Sequence, residues 1–331
     1  MKKFMCVCLC LCVAGGFVFA GGGSESSGGQ KKFLLKAGTV LTENDPTYKG
    51  IVVFAENVMR RTNGAVEVQV FASATLGKDE DIVEQAKLGT NVCVLTEAGR
   101  LSAYIPQFGI FAAPYLITSR DEIDKVLNTS AYKEMADQFG KFGLKILSYN
   151  YFQGERHLFT KTPVAKPADL KGVRLRSMGS PVALKSLEAM GANPVVLPWS
   201  ESYQALQQNV VDGVEVHNSA AVGIKINEVT KYMSKTGHFY LMSGLVASDQ
   251  WYKSLPPEFA KIVSEECYNG GAAATKGVFD NDVNFEKQLV AGGIQIVNCD
   301  VKAFQQATAK VYDELGYGEL KRKIDAEIGR K

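Results

Sequence analysis

DLKGVRLRSMGSPVALKSLEAMGANPVVLPWSESYQALQQNVVDGVEVHN, residues 169–218, decides the fold. It reads as strand, helix, strand, helix, strand. Val173 and Leu175 alternate with Arg174 and Arg176 at the period of two that a strand requires. Ser180 caps a helix that Pro181 opens and Gly191 closes. Residues 194–197 form a short apolar strand, and Ser200 opens a second helix over 201–208. Val210, Val211, Val214 and Val216 make a further strand around a turn at Asp212-Gly213. Strands alternating with helices give an α/β layer with a mainly parallel sheet. Such layers bind ligands beyond the carboxyl ends of their strands. Arg176 and Met178 lie at one such end, and Trp199 and Val216 lie near two others, so the four are expected to converge on one cleft.

Upstream, residues 33–38 read as a strand and 39–46 as a loop. Asp45 caps the next helix, Pro46 starts it, and Ile51, Phe54, Ala55, Val58 and Met59 form its apolar face until Asn63-Gly64 ends it. Val66, Val68 and Val70 alternate in a half-buried strand. Asp79, Glu80 and Asp81 open a helix, where carboxylates suit the positive end of the dipole. A buried strand over 91–95 brings Thr96 and Glu97 to its carboxyl end. The apolar stretch 108–117, interrupted by Pro114, is expected as an edge strand or crossover. Helices near 121–127 and 131–142 precede a strand over 144–149, which ends in Asn150-Tyr151-Phe152 at the first domain boundary. Pro256-Pro257 begins a helix running to about residue 289, roughly 50 Å long and able to lie along both domains, with a bend at Gly270-Gly271. A strand over 294–297 and helices over 301–315 and 319–328 close the chain.

The 331 residues suffice for two domains, and 46% hydrophobic residues supply an ordinary core. A net charge of +2 gives no argument for a nucleic-acid partner. Lys2 and Lys3 followed by the apolar run 4–19 and by Ala20 read as a secretory signal peptide cleaved before Gly21, with 21–32 as a flexible leader. Cys6, Cys8, Cys10 and Cys12 fall inside that signal; lipid anchoring through one of them is the less favoured alternative, because Leu rather than a small residue precedes Cys10 and Cys12. Cys93, Cys267 and Cys299 then remain, an odd and widely spaced set that reads as buried thiols rather than a disulfide or metal framework. No GxxxxGK[ST] loop, HExxH helix, GxSxG elbow or CxxC pair occurs, so neither cofactor nor metal is expected. His157, His217 and His238 lie far apart in the chain and read as core or surface residues.

The blocks LKGVRLR, MGANPVVLPWSESYQALQQNVVDG, TNGAVEVQVFASATLGKDEDIVEQAKLGT and FGIFAAPYLI, in that arrangement, resemble the solute-binding proteins of tripartite ATP-independent periplasmic (TRAP) transporters. The resemblance covers nearly the whole chain after the signal. It implies a two-domain periplasmic-binding-protein-like fold with a ligand cleft between the domains and a long helix spanning both. One domain comprises 33–153 plus about 241–281; the other comprises 154–240 plus about 282–331. It further implies that Arg176 grips a substrate carboxylate and that Arg156 assists. From the residues alone, each arginine has the alternative of pairing with a protein acid such as Glu155 or Glu215. Trp199 takes the place of an aromatic or apolar residue facing the ligand, and Thr39 and Glu97 match positions that approach it; Glu97 has a structural bond as its alternative. The family's DGxEN pattern appears here as DGVEV, so Val216 replaces a polar contact and points to a more apolar pocket. Met178 is a further wall candidate, with Tyr151, Phe152, Phe239 and Tyr240 held more loosely.

The expected function is therefore capture of a small organic acid outside the cytoplasm, in the periplasm, and its delivery to TRAP membrane permease subunits, with an additional periplasmic partner conceivable. The alternatives are a carrier of a hydrophobic or lipid-like molecule, suggested by Trp199, Met178 and Val216, and a secreted enzyme acting on a small acid, in which Glu97 or His217 supplies the base.

Overall fold

The computed structural model describes residues 32–330. The expected signal peptide, most of the leader, and Lys331 lie outside the described residues. Nine strands among the described residues form one mixed sheet: β1 Phe33–Gly38, β2 Val66–Phe71, β3 Val92–Glu97, β4 Leu144–Thr160, β5 Arg174–Ser177, β6 Asn193–Val196, β7 Gly213–Val216, β8 Tyr232–Ser248 and β9 Gln295–Val297. Their order is β2-β1-β3-β8-β4-β7-β5-β6, with β9 added to β8.

Two parallel triplets, β1–β3 and β5–β7, flank an antiparallel central pair, β4 and β8. The sheet is therefore mixed rather than mainly parallel. The expectation of a parallel layer rests on 169–218, and that stretch holds only one triplet. β3 pairs with the Ser243–Ala247 part of β8, whereas β7 pairs with the His157–Thr160 part of β4. Each triplet thus joins one end of the central ribbon, and this divides the molecule into two lobes.

The strand expected to stop at Tyr149 continues to Thr160, and β4 and β8 each run for 17 residues. Asn150, which reads as a break, falls at a register shift in the β4–β8 pairing, and its Nδ2 donates to the Tyr268 carbonyl at 2.9 Å. The expected crossings near 153/154 and 240/241 fall in mid-ribbon, where Gly154 pairs with Leu241 and the register slips on either side. Gly154 takes φ +133°, a conformation that only glycine adopts without strain. Bulges bend and twist a ribbon locally.

The helix Pro257–Ala291 extends over 35 residues, on the order of 50 Å at ~1.5 Å per residue. It packs along helix Pro46–Arg61 and β4, then reaches helix Asn218–Gly223, where Asn218 Nδ2 donates to Asp282 at 3.1 Å. Gly270 and Gly271 do not end or interrupt it. Their role is close approach: a Cβ at Gly270 would lie 2.6 Å from the Gly50 carbonyl, and one at Gly271 would lie 2.2 Å from Asn150 Oδ1.

The stretch expected as an edge strand is a 3-10 helix, Pro106–Ala112, with Pro at its start. A short unbroken apolar run does not distinguish strand from buried helix. Tertiary packing decides here, because the Phe108 ring meets Phe111, Phe139 and Tyr149 at 5.2, 4.9 and 5.6 Å between centroids. The chain ends in helices Val301–Thr308, Val311–Glu314 and Gly318–Ile328. Phe304 joins the second-lobe cluster of Leu158, Leu175 and Leu187, while Ile324 and Ile328 join the first-lobe cluster of Ile123, Val126 and Met135. The terminal helices therefore tie the lobes together. Cys93 and Cys267 are buried free thiols, and Cys299 is half-buried.

Candidate functional site

The carboxyl ends of β3, β5 and β7 face one another across a cavity of about 490 Å³ of atom-free space, its opening included. The second lobe contributes Arg176 and Met178 from the end of β5, Val216 and His217 from the end of β7, and Trp199 from the loop after β6. The first lobe contributes Thr39, the segment Leu95–Glu97, Asp79 and Arg100. The central ribbon contributes Gln153, Arg156 and Leu241. All of Arg176, Arg156, Trp199, Val216, Glu97, Thr39 and Met178 line this space. Of the looser candidates, Phe239 and Tyr240 border a smaller adjoining chamber shared with Met178 and Glu97. Tyr151 and Phe152 belong to the core instead; Phe152 stacks between Tyr240 and Phe279.

Strand alternation separates the two arginines of GVRLR. Arg174 turns outward to Asp212, with Nη2 2.8 Å from Oδ1, while Arg176 turns inward and is 2% exposed. Two fixed groups orient the Arg176 guanidinium. Its Nε donates to the Leu197 carbonyl at 2.8 Å, and its carbon lies 5.5 Å from the centre of the Trp199 ring. Among the described residues it makes no ion pair, and Nη2 is buried without a hydrogen-bond partner. Burial, and secondarily the charge of Arg100, lowers its affinity for its proton. A buried cation in this condition is stabilised by an arriving anion.

Arg156 is differently placed. Its Nε and Nη2 hold the Glu215 carboxylate, with Nη2 2.8 Å from Oε1, and Nη2 also donates to the Glu215 carbonyl. The protein-acid alternative thus describes the contacts of Arg156, while it still borders the cavity. Burial alone would raise the Glu215 carboxyl; the charge and hydrogen bonds of Arg156, with His238 Nε2 nearby, more than offset this and hold it at about 2. Arg100 is matched too: it donates to Glu80 at 2.6 Å and lies 3.5 Å from both Asp79 and Glu97. Glu97 accepts from the backbone nitrogens of Gly99 and Arg100 and so caps helix Ala98–Leu101. Thr39 Oγ1 accepts from Leu41 N at 3.2 Å and shapes the loop after β1.

Residues that sequence reasoning missed are Asp79, Arg100 and Gln153, while His217 enters it only as a base in the enzyme alternative. Asp79 reads as one of three acids at a helix start; only the fold turns it into the cleft. Burial pushes its carboxyl up to about 6 against the opposing charge of Arg100. The three histidines, remote in sequence, come near one another in the fold: His238 Nε2 is 3.7 Å from Glu215 Oε2, His157 accepts from Gly237 N at 3.2 Å beside His238, and His217 follows β7 opposite His157. His217 borders the cavity with both ring nitrogens buried and unpartnered among the described residues. Among the described residues no group of three or more His, Cys, Asp or Glu is arranged to hold a metal ion.

Contacts across the cleft hold the lobes together. Ser219 Oγ donates to Asp45 Oδ2 at 2.7 Å, and Lys78 meets Glu201 at 3.2 Å on the rim. Gly99 lies so near Ser180 that a Cβ would be 2.5 Å from its Oγ.

A mixed sheet with two lobes, a cleft at strand ends and a buried, unmatched arginine in it define a solute-binding protein. Residues 37–318 match the family described as bacterial extracellular solute-binding protein, family 7, and the chain belongs to that family. It is 30% identical over 226 residues to the C4-dicarboxylate-binding periplasmic protein DctP of Rhodobacter capsulatus, covering 68% of each chain. Among solved structures, a TRAP periplasmic solute-binding protein from Ochrobacterium anthropi with bound L-fuconate matches at a TM-score of 0.87 and 29% identity, over 90% of this chain and 99% of that one. An apo open TRAP solute-binding protein from Escherichia fergusonii matches at 0.78 and 33% identity, over 88% and 99%. Among the described residues no helix is long and apolar enough to cross a membrane.

Proposed function

We propose that this protein captures a small organic acid in the periplasm by closing two lobes on it, with Arg176 as the carboxylate grip, and delivers it to TRAP permease subunits. The observation that carries this reading is the guanidinium of Arg176. It is buried at a strand carboxyl end, oriented by Leu197 and Trp199, and has no acid of its own among the described residues. A fork of parallel N–H donors is the group that holds a carboxylate bidentately. Arg156, engaged with Glu215, stiffens the wall beside it and contributes charge rather than a free fork.

The lobes in this reading are 33–153 plus about 241–281 and 154–240 plus about 282–331, hinged at the bulges around Gly154, with the terminal helices reaching back over both. Ligand shifts the population toward the closed form by binding it better. Trp199, Met178 and Val216 cover the ligand's carbon skeleton. The acid bound by the Ochrobacterium neighbour supports a polar acid over a hydrophobic cargo, and membership in a solute-binding family supports a carrier over an enzyme. Denaturing the purified protein and identifying the released small molecule by mass spectrometry tests the reading. A carboxylic acid at near-stoichiometric amount is expected, and adding it back to ligand-free protein should reduce the radius of gyration in small-angle scattering. A released lipid, or an unchanged scattering profile at saturation, counts against it.

A further inference from the structure

The charges and unpaired polar atoms of the cavity narrow the class of acid. Three guanidiniums border it, and two are already matched within the protein. Arg156 is held by Glu215, and Arg100 is surrounded by Asp79, Glu80 and Glu97. Of the three, Arg176 alone lacks a counter-charge among the described residues, so one carboxylate on the ligand completes the balance. A second carboxylate would face the Asp79 and Glu97 side of the cavity, where like charge and desolvation both oppose it.

Five buried side-chain atoms on the cavity wall make no hydrogen bond to the described residues: Arg176 Nη2, Asp79 Oδ1, Thr96 Oγ1, and both ring nitrogens of His217. Such atoms are costly unless a partner arrives. Their chemistry differs. Arg176 only donates, whereas an ionised Asp79 only accepts. His217 is neutral, because burial and then the Arg156 charge push it down to about 3. It therefore offers one donor and one acceptor together. A carboxylate cannot donate to Asp79, and an alkyl chain satisfies none of these atoms. Hydroxyl groups do both.

We propose that the cavity takes a hydroxylated monocarboxylate, its carboxylate on Arg176 and its hydroxyls on Asp79, Thr96 and His217, with His217 a residue that determines specificity. This rests on the Arg176–carboxylate reading above. His217 stands at the carboxyl end of β7 beside Val216, with its β-carbon close to the β4 bulge: a Cβ added at Gly154 would lie 2.9 Å from it. The base of the side chain is thus fixed between β7 and β4, and the imidazole edge is free to meet what the ligand presents there.

The test is calorimetric titration of the purified, ligand-free protein with acids matched in length. Erythronate, gluconate and galactonate are set against butyrate and hexanoate, and against succinate and adipate. At least one hydroxylated monoacid is expected to bind about tenfold or more tighter than both the plain monoacid and the diacid of its length. A diacid or a plain monoacid binding tightest overturns this proposal while leaving acid capture standing. Failure of every acid overturns acid capture itself. His217→Phe should weaken the hydroxylated acid about tenfold or more and the plain acid by less than about threefold, with His217→Gln recovering part of the loss. Equal weakening of both acids by His217→Phe removes the specificity role. Melting without ligand checks that each variant folds, and if neither does, the acid series decides alone.

Discussion

Replacing Arg176 by alanine removes a guanidinium whose terminal nitrogens hold no acid among the described residues. What the ligand-free protein gives up is one hydrogen bond, from Nε to the Leu197 carbonyl, and the stacking on Trp199. Each is worth about 1 kcal/mol in ordinary cases. Against that loss stands relief from burying an unmatched charge, a penalty that can exceed several kcal/mol. The ligand-free protein should therefore change little, by less than about 2 kcal/mol in either direction. The bound state differs. There the ligand carboxylate, desolvated by closure, loses its only unmatched cation, at a cost of about 2–5 kcal/mol. At ~1.4 kcal/mol per tenfold, affinity for the acid should fall by about 30-fold to a few thousandfold. Arg176→Lys keeps the charge but not the fork and should recover only part of this. Calorimetry gives the affinities, and urea unfolding of ligand-free protein gives the stability. A large loss of ligand-free stability with unchanged affinity would refute the reasoning, since it would make Arg176 a structural residue.

Glu215→Gln leaves the Arg156 guanidinium buried against a neutral amide and should destabilise the fold by about 3–5 kcal/mol, measured by urea unfolding. Because the Glu215 carboxyl is depressed to about 2, the wild type keeps this stabilisation above the ordinary value of 4.5 and loses it as pH falls toward 2; the variant should lack that slope. Asp79 shifts the other way, from 3.8 to about 6, so ionising it costs the native state and stability falls as pH climbs through that window. Asp79→Asn escapes this, and its melting temperature relative to wild type should rise from about pH 4 to about pH 6 and level off above, with about 3 kcal/mol as the upper bound. Gly99→Val places a side chain where Ser180 sits across the cleft, so it should weaken solute binding more than tenfold by obstructing closure, while hydrogen exchange in the ligand-free core stays unchanged.

Local chemistry makes much of the second lobe legible in the amino-acid sequence. Ser180, Pro181 and Gly191 punctuate a helix in any context, and the period of two in GVRLR places alternate arginines on opposite faces. The α/β class and the convergence of Arg176, Met178, Trp199 and Val216 follow from strand ends and crossovers, which depend on neighbours in the chain. What depends on distant residues is not legible there. The continuation of β4 past Asn150 rests on its pairing with β8, where Tyr151 meets Ser243, far along the chain. The need for glycine at 270 comes from the backbone of Gly50, more than two hundred residues away. The same holds at the site: whether an arginine waits for a ligand or is held by the protein is a question of which carboxylate the fold sets beside it. Residues 156 and 176 are the same amino acid with the same reach. Among the described residues, Glu215 is set opposite one of them on the neighbouring strand and no acid opposite the other, and only the tertiary structure decides that.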